Sequence, residues 1–106
     1  MKLLALTSSR ADYSILFPLL SKLKNDEFFN LDIVAFGTHL SKNHGNTIEL
    51  IINDGFDIKY TLETNPTSDT PKEISKAMSN TILLFTEIWE KEAYDFILVT
   101  GDRYEM

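Results

Sequence analysis

The chain has 106 residues, enough for one domain and hardly for two. Its 43% hydrophobic and 25% charged residues are those of an ordinary soluble globular chain, and the lack of cysteine excludes a disulfide framework, a Cys-based metal site and a Cys nucleophile. The net charge of −6 argues against a nucleic-acid partner, because an acidic surface repels phosphate backbones, but single arginines and helix N-termini still allow a nucleotide ligand.

The first element is a strand over residues 2–7, Lys2 to Thr7, which stops at the polar turn Ser8-Ser9-Arg10-Ala11-Asp12. Leu3 to Leu6 is too short for a secretory leader, and Arg10 and Asp12 follow it at once. No apolar run reaches the roughly 18 residues of a membrane span. The expectation is a cytoplasmic protein with no membrane partner.

Residues 13–24 read as a helix, with Leu16, Leu19, Leu20 and Leu23 on one face and Pro18 allowing a kink or a later start. Residues 31–36 form a second strand, followed by a loop from Gly37 to Gly45. A short helix spans 47–53, with Asn46 as N-cap, Glu49 three residues on, and Gly55 as its stop. Residues 57–61 suggest a short third strand nearer the sheet edge.

After a polar loop around Pro66, Thr70-Pro71-Lys72-Glu73 is a capping box with proline at the first helical position. This helix runs to about Glu92, with an apolar stripe of Ile74, Met78, Ile82, Phe85 and Trp89, flanked by Ala77 and Ile88. The stripe reads as core rather than as a cofactor box. Residues 95–100 are the fourth strand, a nearly continuous apolar run expected to be central and buried on both faces.

Strands alternating with helices imply an α/β fold with a Rossmann-like parallel sheet and flanking helices. A doubly wound order 3-2-1-4 would set the first and fourth strands side by side at the switch point, where ligands bind beyond the carboxyl ends of the strands. Arg10, Asp102 and Arg103 would then meet in one crevice.

Three places carry candidate chemistry. The first turn has neither the G-x-G-x-x-G fingerprint nor a P-loop, which argues against NAD and ATP in their commonest modes. Two readings of it stay open, of which the local sequence favours the first. In one, Asp12 caps the helix and Arg10 is solvated. In the other, Arg10, the amides of residues 11–14 and the Ser14 hydroxyl bind a phosphate. His39, near the end of the second strand, is either a proton carrier or hydrogen-bond donor in the crevice or a structural histidine, with neither favoured. His44 reads as a surface residue, and two histidines without a carboxylate cluster make a weak metal signal, so no metal is expected.

Gly101-Asp102-Arg103 is the sharpest candidate. A glycine directly after a central strand admits close approach of a ligand, a carboxylate at that mouth is placed for acid–base work, and Arg103 can neutralise phosphate. The alternative has Asp102 capping the next helix and paired with Arg103. Position favours the functional reading.

Four stretches together carry a resemblance: Ser9-Arg10-Ala11-Asp12-Tyr13-Ser14; Gly37-Thr38-His39-Leu40-Ser41 with Gly45-Asn46-Thr47; Asp54-Gly55-Phe56-Asp57-Ile58; and Gly101-Asp102-Arg103-Tyr104-Glu105. In order and at this spacing, the chain resembles the UDP-N-acetylglucosamine 2-epimerases, and its Arg-Ala-Asp and Gly-Asp-Arg forms look like the hydrolysing branch. The resemblance implies a GT-B-like two-domain protein, of which residues 1–106 are the first half of the N-terminal Rossmann-like domain, with no second domain in this chain. It implies abstraction of the sugar C2 proton, departure of UDP from C1, and hydration of the glycal with inversion at C2. Asp102 then looks like the catalytic aspartate, His39 like an active-site histidine, and Arg10, Ser14 and Arg103 like contacts to the UDP phosphates.

The resemblance also implies a nucleotide-sugar substrate, UDP-GlcNAc or a related UDP-acetamido sugar, no cofactor, and a homo-oligomer of the full-length protein. N-acetylmannosamine would be released for sialic-acid-type synthesis, and the 106-residue piece alone is expected to be inactive. The competing readings are the N-terminal domain of a GT-B glycosyltransferase, which would need an acceptor, and a non-catalytic flavodoxin-like module. A receiver-type module would need acidic residues where the first strand ends in Thr7-Ser8-Ser9-Arg10.

Overall fold

A computed structural model describes residues 1–41, 47–101 and 103–106. Strand β1 (Lys2–Thr7) leads into helix α1 (Arg10–Lys24), strand β2 (Asn30–Phe36), a 3-10 turn over Gly37–Leu40, helix α2 (Ile48–Asn53), strand β3 (Tyr60–Leu62), helix α3 (Pro71–Lys91) and strand β4 (Phe96–Leu98). The four strands form one sheet in the order β3-β2-β1-β4, every pair parallel. This is the expected α/β class and the expected order, with β1 and β4 as neighbours. β1 pairs with β2 from Lys2↔Asn30 to Thr7↔Ala35, and with β4 from Leu3↔Phe96 to Ala5↔Leu98.

Strand alternation divides the core between the two faces of the sheet. Ala5, Ile33 and Ala35 meet Tyr13, Leu16 and Leu20 of α1, Ile51 of α2, and Phe56. Leu4, Leu6, Val34 and Phe36 meet Phe85 and Ile88 of α3 on the other face. Leu4, Leu20, Ile33 and Phe36 are buried almost completely, and burial of a side chain of this size contributes roughly 1.5–3 kcal/mol.

Three boundaries depart from the sequence reading for local reasons. Helix α1 begins at Arg10 rather than at residue 13, because Ser9 is the N-cap and its hydroxyl oxygen accepts from the Asp12 amide at 3.3 Å. Pro18 lies inside α1 without delaying its start. The Gly37 region is a 3-10 turn rather than an open loop, and the third strand is shorter and later than residues 57–61. The Thr70 cap is present, its hydroxyl accepting from the Glu73 amide at 3.2 Å, with Pro71 opening the helix. The expected N-cap Asn46, His44 and the Gly45 end of the loop lie outside the described residues.

Two burial expectations are corrected. The face of α3 on the sheet is Ala77, Thr81, Phe85 and Ile88, whereas Met78, Ile82 and Trp89 of the expected stripe are exposed. The helix carries two adjacent apolar rows, and the sheet covers only one. Strand β4 is neither long nor buried on both faces. It lies at the edge of the sheet, with Ile97 45% exposed, because only β1 pairs with it.

Candidate active site at the carboxyl edge of the sheet

β1 delivers Thr7 and Ser8 to the carboxyl edge of the sheet, and the first turn of α1 folds Asp12 back over them. Thr7 Oγ1 donates to Asp12 Oδ1 at 2.5 Å. Asp12 Oδ2 accepts from the Ser8 amide at 3.0 Å, the Ser8 hydroxyl at 2.9 Å and the Ser9 hydroxyl at 3.0 Å. Asp12 is buried, so these donors replace the water that a carboxylate would otherwise require.

His39 extends this chain of contacts. Its Nε2 lies 2.7 Å from Thr7 Oγ1 and its Nδ1 lies 2.8 Å from Thr47 Oγ1. The one Thr7 hydroxyl proton is committed to Asp12, so the neutral ring must carry its proton on Nε2 and donate to Thr7, and Nδ1 then accepts from Thr47. Burial lowers the imidazole's pKa below its ordinary value, against the opposing charge of Asp12 and a backbone bond with Ser9. The side chain is 0% exposed, so the ring is enclosed in the fold.

Two clefts flank this buried cluster. The first, of about 260 Å³, lies between α1 and α2 and is lined by Arg10, Tyr13, Ser14, Phe17, Leu50 and Asp54. Tyr13 donates its phenol to Asp54 Oδ2 at 2.6 Å, and burial together with that carboxylate raises its pKa. Arg10 is exposed, and its guanidinium has no partner among the described residues. Ser14 is exposed and donates to the Arg10 carbonyl at 2.9 Å.

The second cleft, of about 280 Å³, opens between the Gly37 turn, the Thr64–Pro66 segment and residues 103–105. Gly37 adopts φ +59°, and a Cβ there would come within 2.9 Å of the Ser8 carbonyl oxygen. Only glycine lets the turn pass so close to the end of β1. Its amide donates to Thr64 Oγ1 at 3.0 Å and its carbonyl accepts from Asn65 Nδ2 at 2.9 Å, which anchors the rim. Arg103 donates through Nε to Glu105 Oε1 at 2.5 Å, and this bond is the main cause of its raised pKa.

The candidates from the sequence are thus distributed. Arg10 and Ser14 share one cleft, Arg103 lines the other, and His39 lies enclosed between the strand ends. The two arginines do not line a common crevice. Asp102 lies outside the described residues, although Gly101 beside it has φ +91° and approaches Asp12. Sequence reasoning took Asp12 for a helix cap. Its amide does join the Ser9 cap, and its carboxylate organises the whole turn. The Ser-x-x-Asp spacing was the available signal. For Glu105 the signal was its place in the Gly101–Glu105 stretch of the resemblance, which assigned it no role. Among the described residues no group of three or more His, Asp or Glu side chains could hold a metal ion, and no helix is long and apolar enough to cross a membrane.

Comparison with known proteins gives this arrangement a family. The sequence profile described as UDP-N-acetylglucosamine 2-epimerase matches residues 21–106. The chain is 34% identical over 105 residues to polysialic acid biosynthesis protein P7 of Escherichia coli, covering 99% of this chain and 27% of that protein. It is also 34% identical over 105 residues to a UDP-N,N'-diacetylbacillosamine 2-epimerase (hydrolyzing) of Legionella pneumophila, covering 99% of this chain and 28% of that one. A crystal structure of UDP-N-acetylglucosamine 2-epimerase has a TM-score of 0.80 over 99% of this chain and 28% of its own, at 18% identity, which is a likeness of fold. The chain therefore spans a little over a quarter of the length of these relatives. The profile match over most of the residues and the identity to curated relatives along nearly the whole chain show that it belongs to the UDP-N-acetylglucosamine 2-epimerase family.

Proposed function

We propose that these residues are the first half of the N-terminal Rossmann-like domain of a GT-B-like, two-domain enzyme, a hydrolysing 2-epimerase of UDP-linked acetamido sugars. The reaction we assign is UDP-N-acetylglucosamine plus water to N-acetylmannosamine plus UDP, serving sialic-acid-type synthesis. The N,N'-diacetylbacillosamine derivative in the Legionella relative's name is the second substrate to test. The observation that carries the reading is the match to that relative, named as hydrolyzing, along 99% of the chain.

The chemistry requires a base for the C2 proton, stabilisation of the departing diphosphate, and water delivered to C2 and C1 of the glycal. In this reading Asp102 is the base, following the left-handed Gly101 in the segment after β4. Arg10 and Ser14, on one cleft, and Arg103, on the other and next to Asp102 in sequence, contact the phosphates. His39, which the resemblance assigns to the active site, we place behind it, joining the end of β1 through Thr7 to the start of α2 through Thr47. Cationic groups on one half-domain make an incomplete site, so the 106 residues alone should not turn over substrate. The full-length enzyme should act as a homo-oligomer.

The test is turnover of each nucleotide sugar by the full-length protein in D2O. Release of UDP with a free amino sugar inverted at C2 and deuterated there supports the assignment. An unlabelled sugar with retained C2, or transfer only when an acceptor is added, would point to a glycosyltransferase. Asp102→Asn should abolish turnover while UDP still binds, and near-normal turnover would remove Asp102 from the mechanism.

A further inference from the structure

The cleft beneath the Gly37 turn contains an incomplete hydrogen-bond set. Glu105 is 8% exposed, and its carboxylate packs against Gly37, with Oε1 at 3.3 Å from the place a Cβ there would take. Oε1 is engaged by Arg103 Nε, but Oε2 is buried and has no hydrogen-bond partner among the described residues. A buried carboxylate oxygen without a donor is costly, so a structure retains one where something else supplies the donor.

The neighbouring groups do not supply it. Thr38 Oγ1 donates to the Ser8 carbonyl, and Asn65 Nδ2 is shared between the Gly37 carbonyl and Glu63 Oε1. The Arg103 side chain is 45% exposed, and its terminal nitrogens have no partner among the described residues. The cleft therefore presents a cationic fork at its rim and, in its wall, the carboxylates of Glu105 and Asp69. Such a wall repels phosphate and suits hydroxyl or amide N–H donors. At about 280 Å³ the space is near the lower limit for small-molecule sites, the size of one sugar ring rather than of a nucleotide sugar.

We propose that Glu105 is a substrate-binding residue that reads the sugar: Oε1 orients Arg103 toward a phosphate oxygen, and Oε2 accepts a hydrogen bond from a hydroxyl or the acetamido N–H of the same nucleotide sugar. This rests on the epimerase reading above and adds to it the residue that distinguishes the sugar from the bare nucleotide.

The experiment uses the full-length protein and the variant Glu105→Gln, whose amide oxygen still accepts from Arg103 but whose NH2 faces the incoming donor. KM for UDP-N-acetylglucosamine should rise about tenfold or more, while calorimetric affinity for UDP, which has no sugar, changes by less than about threefold. Glu105→Ala, which also releases Arg103 and so weakens UDP binding, should still raise KM for the nucleotide sugar by a clearly larger factor than it weakens UDP, and serves if the glutamine variant does not fold. The 3-deoxy, 4-deoxy, 6-deoxy and N-methylacetamido analogues identify the donor. One should bind more weakly than the parent sugar to wild type and equally well to the variant. An unchanged KM overturns the proposal, because the donor is then water or the protein itself. Equal losses for UDP and for the sugar also overturn it, because Glu105 then acts only through Arg103. A wild-type protein that binds no UDP defeats the nucleotide-sugar reading and this one together, whereas an active wild type without the split defeats this one alone.

Discussion

Asp12 illustrates how a residue can be central to a site without facing a ligand. Both of its oxygens are engaged by Thr7, Ser8 and Ser9, so its charge reinforces the turn from inside. The amides of Asp12 and Tyr13 are likewise occupied, by the Ser9 hydroxyl and carbonyl. Those two amides are therefore taken, and among the described residues Arg10 is the one cation lining the α1–α2 cleft. Arg10→Ala in the full-length protein should weaken UDP binding about tenfold to a hundredfold, the loss of one charge-assisted hydrogen bond of ~1.5–3 kcal/mol. Its melting temperature should stay near wild type, because the side chain is exposed. Unchanged affinity by calorimetry would return Arg10 to the role of a solvated charge.

At the scale of elements, the tight part is the crossing of the Gly37 turn over the end of β1. The left-handed φ and the 2.9 Å approach to the Ser8 carbonyl leave no room for a methyl group. Gly37→Ala should destabilise the protein by about 1–3 kcal/mol, read as a lower urea midpoint at unchanged slope. Much of the element plan was legible in the sequence. β1 from Lys2 to Thr7, the Thr70–Pro71 start of α3 and the neighbouring of β1 and β4 follow from apolar runs, capping chemistry and parallel topology. What was not legible depended on contacts between distant segments. Periodicity could not tell which of two apolar rows on α3 would meet Phe36 and Val34. An apolar β4 could not reveal that it pairs on one side only. For the site, Arg10, Ser14 and Arg103 could be named from their position after strands, but the division into two clefts and the enclosure of His39 depend on how α2 and the Thr64 segment pack.

For the whole molecule, the opposite edge of the sheet is as polar as the candidate site and has a different task. Glu92, just after α3, accepts from Lys2 of β1 and from Lys59 beside β3, while Lys59 also reaches Asp32 of β2 at 3.2 Å. Tyr94 donates to the same Asp32 carboxylate at 2.7 Å, and the Lys2 amide donates to Asp95 at 2.8 Å. These contacts tie the amino ends of all four strands together. The bonds from Lys2 and then Lys59 lower the Glu92 pKa to about 2, from an ordinary value near 4.5. A folded-state pKa below the unfolded one contributes stability that is present above the unfolded value and lost as pH falls toward the folded value. Wild type should thus melt above Glu92→Gln at neutral pH, and the gap should begin to close below about pH 4.5. A gap independent of pH would mean that Glu92 acts through packing alone.

The register of β1 also bears on how the chain is made. Leu3 pairs with Leu31 on one side and with Phe96 on the other, so β1 waits for a strand distant in sequence to complete it. The β1–β2 pair and α1 can form early from nearby residues. One flank of β1, apolar from Leu3 to Leu6, stays bare until β4 has been made. Closing a pairing across so much sequence is slow, and an open strand flank invites pairing with a neighbouring nascent chain. The same strand order that brings Thr7, Ser8 and Gly101 to one edge therefore gives the young polypeptide an interval, between the making of β1 and of β4, in which its open flank favours self-association.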